Sequence, residues 1–128
     1  FASEVILDKS KPVIILDDDP TIHALWQQQL KDYSGELEIY NFYEPRAALS
    51  WFVQNEQNLG KCCVLSDYDL KAPETNGLDV IERLGVSRHD VLLVTSAFDE
   101  NEVRSRSEGL KVKILPKPSL AFTPIVVM

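Results

Sequence analysis

Two stretches of this chain, Val13–Leu16 and residues 91–94, are runs of branched aliphatic residues with no polar residue among them. A strand with one wet face alternates apolar and polar side chains, so an unbroken apolar run belongs to a strand covered on both faces, as in a parallel sheet. Apolar runs and helical patterns alternate along the whole chain, which predicts repeated strand–helix units. No internal repeat, low-complexity tract or Pro/Gly/Ser linker interrupts the 128 residues, so the expectation is one domain over residues 1–128.

The first strand is Val13–Leu16. Asp19-Pro20 then supplies a helix N-cap and first helical residue. Ile22, Leu25, Trp26, Gln29 and Tyr33 fall on one helical face, with Gln27, Gln28 and Lys31 outward and Ser34-Gly35 as the stop. Leu37, Ile39 and Asn41 alternate with Glu38 and Tyr40 as an edge strand, and Glu44-Pro45 opens a second helix carrying Ala48, Leu49, Phe52 and Val53. Residues 62–66 form the third strand. Asn76-Gly77 leads into a third helix through Leu78, Val80, Ile81 and Leu84, closed by Gly85. Residues 91–94 are the fourth strand, and residues 99–108, apolar only at Val103, give a fourth helix with little to bury and hence loosely held. Val112 and Ile114 mark the fifth strand, ending at Pro116-Lys117-Pro118, after which the last helix is short or absent. Residues 1–10 read as an N-terminal tail or linker remnant.

Composition excludes several classes. A formal net charge of −7 argues against a nucleic-acid surface, and no apolar stretch approaches the roughly 18 residues of a membrane span. Glu4, Asp8 and Lys9 break the apolar start, unlike a secretion signal. The two cysteines, Cys62 and Cys63, are adjacent and point to opposite faces of a strand, so they read as free thiols in a reducing cytoplasm. His23 and His89 read as exposed or packing residues.

Polar groups collect where the apolar runs end. Asp17 and Asp18 follow the first strand, Asp67 the third, Thr95 the fourth and Lys117 the fifth. In an open parallel α/β sheet ligands bind beyond the carboxyl ends of the strands. Crowded carboxylates resist ionising unless a cation compensates them, and Mg²⁺ takes oxygen ligands in octahedral geometry. Carboxylates beside a hydroxyl and an ammonium suit phosphoryl chemistry, and a carboxylate can itself accept a phosphoryl group.

Four segments in this order resemble the motifs of the receiver domains of two-component response regulators and hybrid sensor histidine kinases. They are Ile15-Leu16-Asp17-Asp18-Asp19-Pro20, Leu65-Ser66-Asp67-Tyr68-Asp69-Leu70, Val94-Thr95-Ser96-Ala97 and Leu115-Pro116-Lys117-Pro118. The resemblance covers nearly the whole chain and implies a three-layer, doubly wound, flavodoxin-like α/β fold with a five-stranded parallel sheet of order 2-1-3-4-5. It implies Asp67 as phosphoacceptor from a sensor histidine kinase or a histidine phosphotransfer domain. Mg²⁺ would be held by Asp17, Asp18, Asp67 and the backbone carbonyl of Asp69. Thr95 would bond a phosphoryl oxygen, and Lys117 would pair with the phosphate or, before reaction, with Asp67. The implied module is cytoplasmic, assists its own phosphorylation and dephosphorylation, and signals by conformational change, to other domains of the same polypeptide among its partners, with no nucleic acid or membrane contact.

The chain also departs from the family pattern. Asp67 lies six residues before Pro73 where the family has four, as if Lys71-Ala72 were inserted, and Asp69 restores the usual count. Asp67 is preferred because the apolar strand ends directly before it. Ile114 stands where the family often has an aromatic residue. Two other readings stay open: a pseudo-receiver used only for protein docking, and a haloacid-dehalogenase-like phosphatase built on Asp67-Tyr68-Asp69, against which Lys71 counts.

Overall fold

The computed structural model describes residues 4–55, 61–67, 90–95 and 112–128. In chain order they form β1 (Val5–Leu7), β2 (Val13–Leu16), α1 (Pro20–Leu30), β3 (Ile39–Phe42), α2 (Pro45–Asn55), β4 (Cys63–Asp67), β5 (Asp90–Thr95), β6 (Val112–Pro116) and β7 (Ile125–Val127). Short 3-10 helices cover Lys31–Tyr33 and Lys117–Phe122. The expected helices at residues 76–85 and 99–108, together with Asp69, the Lys71-Ala72 pair and His89, lie outside the described residues.

Five strands pair in the order β3-β2-β4-β5-β6, every neighbour parallel. Counted from β2, this is the 2-1-3-4-5 order anticipated from the sequence. Both faces of β2 are covered, as its unbroken apolar run requires. Val13 and Ile15 pack with Ile22, Trp26 and Leu30 of α1, whereas Ile14 packs with Phe52 and Leu16 with Ala48 of α2 on the opposite side. Each fully buried Val, Leu, Ile or Phe side chain contributes about 1.5–3 kcal/mol. The adjacent cysteines divide between the same two faces, Cys63 toward α1 and Cys62 toward Phe52, and neither is in a disulfide.

α1 begins where the sequence places it. The Asp19 backbone is extended and its carboxylate accepts the Thr21 N–H at 2.9 Å, with Pro20 in the first turn. In α2 the buried stripe runs through Pro45, Ala48 and Phe52. Val53, expected on that stripe, is instead 71% exposed, because at 100° per residue it falls about 140° round the helix from Ala48.

The chain ends differ from the simple expectation. Within the stretch read as a tail, Val5–Leu7 forms β1, which pairs in parallel with β7 in the register Val5↔Ile125 to Leu7↔Val127. Val5 and Leu7 are buried in the same core as α1. A β-ribbon therefore covers sheet surface beside α1. Between β6 and β7 the chain forms only the 3-10 helix, in keeping with a short last helix. Gln29 of α1 ties that turn to the core: its Nε2–H donates to the carbonyls of Leu120 at 2.6 Å and Thr123 at 3.3 Å. That bond accounts for a polar residue on the inward face of α1.

Candidate functional site

Parallel register brings the carboxyl ends of the strands to one edge. Leu16 pairs with Ser66, Asp67 with Val94, and Thr95 with Pro116, so Asp17, Asp67, Thr95 and Lys117 occupy successive positions across β2, β4, β5 and β6.

Asp17 is fastened at its backbone and at one oxygen. Its N–H donates to the Phe42 carbonyl at 3.1 Å, and its Oδ1 accepts the Asp19 N–H at 2.8 Å. Its other oxygen, Oδ2, is buried and has no hydrogen-bond partner among the described residues. Burial pushes the Asp17 carboxyl above its ordinary range, opposed by the Asp19 N–H and by the charge of Lys117. Asp67 is equally buried at the end of β4, and its Oδ1 lies 3.2 Å from Lys117 Nζ. Partial burial disfavours the charged form of Lys117, but the charge and hydrogen bond of Asp67 outweigh it and hold the ammonium more firmly protonated than usual.

One carboxylate oxygen each from Asp17, Asp18 and Asp67 lies within 4.8 Å of the others. Thr95, 1% exposed, ends β5 between the strands that carry Asp67 and lead into Lys117. Of the residues singled out in the sequence, Asp17, Asp18, Asp67 and Lys117 are thus in one neighbourhood, Thr95 stands on the adjoining strand end, and Asp69 lies outside the described residues. Ile114 is half-buried against the α2 side of the sheet.

The donor set suits a hard divalent cation. Three carboxylate oxygens converge, the buried Asp17 Oδ2 has no hydrogen-bond partner among the described residues, and the charges of Asp17, Asp18 and Asp67 exceed the single positive charge of Lys117.

His23, expected to be an exposed or packing residue, is buried and hydrogen-bonded beside the acidic cluster. The imidazole is 1% exposed, with Nε2 2.8 Å from the Asp17 carbonyl oxygen, Nδ1 3.1 Å from Asn41 Oδ1 and the Tyr43 ring stacked at 4.1 Å. Its position three residues before Trp26, on the buried face of α1, was the available signal.

No protein-family model matches the chain. Over 110 residues it is 29% identical to the cyclic di-GMP phosphodiesterase response regulator RpfG of Xanthomonas campestris pv. campestris (strain 8004). The match takes in 83% of this chain but 28% of that protein, so the chain spans little more than a quarter of its relative's length. Among solved structures, a response regulator receiver domain protein from Clostridium thermocellum superposes with a TM-score of 0.68 at 18% identity, covering 84% of this chain and 82% of the other. A response regulator receiver protein from Burkholderia phymatum gives 0.64 at 22% identity, covering 84% of each. The chain has the fold of a response-regulator receiver domain.

In this fold the acidic cluster sits at the sheet edge where the strand order reverses between β2 and β4, the usual place of a ligand in an open α/β sheet. Among the described residues, no helix is long and apolar enough to cross a membrane.

Proposed function

We propose that this receiver domain takes a phosphoryl group onto Asp67 from a phosphohistidine of a sensor kinase or histidine phosphotransfer domain, with Mg²⁺ as cofactor. The observation that carries the reading is the convergence of the Asp17, Asp18 and Asp67 oxygens within 4.8 Å of one another, with Lys117 Nζ 3.2 Å from Asp67 Oδ1.

Asp67, at the end of a buried strand, presents a carboxylate oxygen to phosphorus. As the new O–P bond forms, the P–N bond to the donor imidazole breaks and its electron pair returns to the ring nitrogen, which then takes a proton from solvent. Asp17 and Asp18 would hold the Mg²⁺ together with Asp67 and the Asp69 carbonyl. When bound, the cation supplies positive charge against the phosphoryl oxygens in transfer. Lys117 exchanges part of its ion pair with Asp67 for a phosphoryl oxygen, and the Thr95 hydroxyl donates to another. Loss of the Asp67–Lys117 pair alters the β4 and β6 ends together, a local charge event of the kind that biases a conformational switch toward partner domains.

Intact-mass measurement after incubation with Mg²⁺ and a small acyl phosphate tests this. The domain gains the mass of one phosphoryl group, Asp69→Asn still gains it, and Asp67→Asn does not. A gain that survives Asp67→Asn but disappears in Asp69→Asn moves the acceptor to Asp69. Turnover of diverse phosphoesters without a stable adduct supports the phosphatase reading instead, and no adduct under any donor supports the docking module.

A further inference from the structure

We propose that His23 is a positioning residue for the cation site, holding the Asp17 carbonyl so that the Asp17–Asp18 peptide aims both carboxylates inward. The proposal rests on the Mg²⁺ reading above and assigns a role to a residue outside the acidic cluster.

A backbone carbonyl can only accept a hydrogen bond, so the 2.8 Å contact requires a hydrogen on Nε2. On the other side of the ring, Nδ1 lies 3.1 Å from the Asn41 side-chain Oδ1. The ring thus joins the end of β2 to β3, an edge strand. Tyr43, 47% exposed, closes the solvent side of the imidazole. Nothing in packing alone demands a histidine here: its neighbours on the buried face of α1 are Ile22, Trp26 and Leu30.

The Asp17 main chain is held on both sides of its α-carbon, by Phe42 through the N–H and by His23 through the carbonyl. That carbonyl belongs to the peptide plane that carries the Asp18 nitrogen. Without the His23 bond the plane is free to rotate, Asp18 is aimed less well, and the converging oxygens no longer meet at the distances a small octahedral cation demands. His23 touches no ligand; it acts through the backbone of one carboxylate and the direction of the next.

Calorimetric titration of the domain with Mg²⁺ alone, set against the melting temperature of each variant, tests the assignment. Gln places a side-chain N–H where Nε2 stands, Asn reaches only the position of Nδ1, and Leu keeps bulk without a donor. His23→Leu and His23→Asn are expected to weaken Mg²⁺ binding by about 10- to 100-fold, the usual effect of removing a group that orients a ligand. His23→Gln is expected to restore affinity to within about threefold of the starting protein, whatever its effect on the melting temperature. Equal affinities for Gln and Asn, or an unchanged affinity in His23→Leu, overturn the proposal while the cation site stands. If His23→Leu does not fold, the Gln/Asn pair decides. Absence of saturable Mg²⁺ binding by the starting protein, with Asp18→Asn no different, overturns the cation reading and this proposal with it.

Discussion

Asp17→Asn separates stability from function at the acidic edge. The substitution keeps the shape of the side chain and its Oδ1, which accepts the Asp19 N–H, and replaces the buried Oδ2, without a hydrogen-bond partner among the described residues, with an NH₂ facing a cluster that contains the Asp18 and Asp67 carboxylates. An unsatisfied buried polar group costs about 1–3 kcal/mol, and more when charged, so relief of at least that size is expected in the metal-free domain at neutral pH. Unfolding entropy of about 2.1 cal/mol/K per residue makes roughly 4 °C of melting temperature per kcal/mol for 128 residues, so the variant melts about 4–11 °C higher in chelator. The same change removes a ligand, and added Mg²⁺ then raises the melting temperature of the original domain but not of the variant. The sign of the pH dependence comes from burial. Because the folded carboxyl titrates above its ordinary 3.8, charging it destabilises the fold as pH rises from 3.8 through the elevated value. The advantage of Asn is therefore full above that window and vanishes below 3.8. Thermal unfolding in chelator and in Mg²⁺, repeated across the acid range, reads all three effects. A variant that melts at or below the original temperature in chelator at neutral pH refutes the electrostatic reasoning.

Lys117→Met acts in the opposite direction: it leaves the Asp67 carboxylate buried without its ammonium, and with Lys117 30% exposed the loss is about 1–3 kcal/mol, seen as a lower melting temperature in chelator. A higher melting temperature for that variant contradicts the pairing. Trp26→Ala empties a fully buried site between α1 and the sheet and costs about 3–5 kcal/mol in denaturant unfolding. The thiols are buried, with Cys62 pushed up to about 11 by desolvation and Cys63 raised for the same reason, so both are expected to resist alkylation at neutral pH until the domain unfolds. Rapid labelling of the native protein speaks against their burial.

What could be read from the chain was the part with short-range causes. Val13–Leu16 announced a strand buried on both faces because no polar residue interrupts it, and Asp19-Pro20 announced a helix start through capping chemistry that operates within three residues. The acidic edge came with these, since strand ends placed in register bring Asp17, Asp67 and Lys117 together. The β1–β7 pairing was not legible. Val5–Leu7 and Ile125–Val127 are three-residue strands about 120 positions apart, too short to show a period and joined only by tertiary packing. His23 escaped for a related reason: a lone histidine on an apolar face looks like packing until the strand end it bonds is in place. Val53 shows the converse, an apolar residue whose helical angle, not its type, decides its exposure.

The ribbon of first and last strands has a mechanical consequence. Its bonds, among them Val5 N–H to the Pro124 carbonyl at 2.9 Å and Met128 N–H to the Leu7 carbonyl at 2.9 Å, run across two strands that point the same way. Tension applied before β1 and beyond β7 pulls those strands past each other lengthwise, so the whole row resists in shear instead of opening one bond at a time. A load arriving along the polypeptide meets this clamp first, and Val5 and Leu7 must leave the core beside α1 before force reaches the acidic edge.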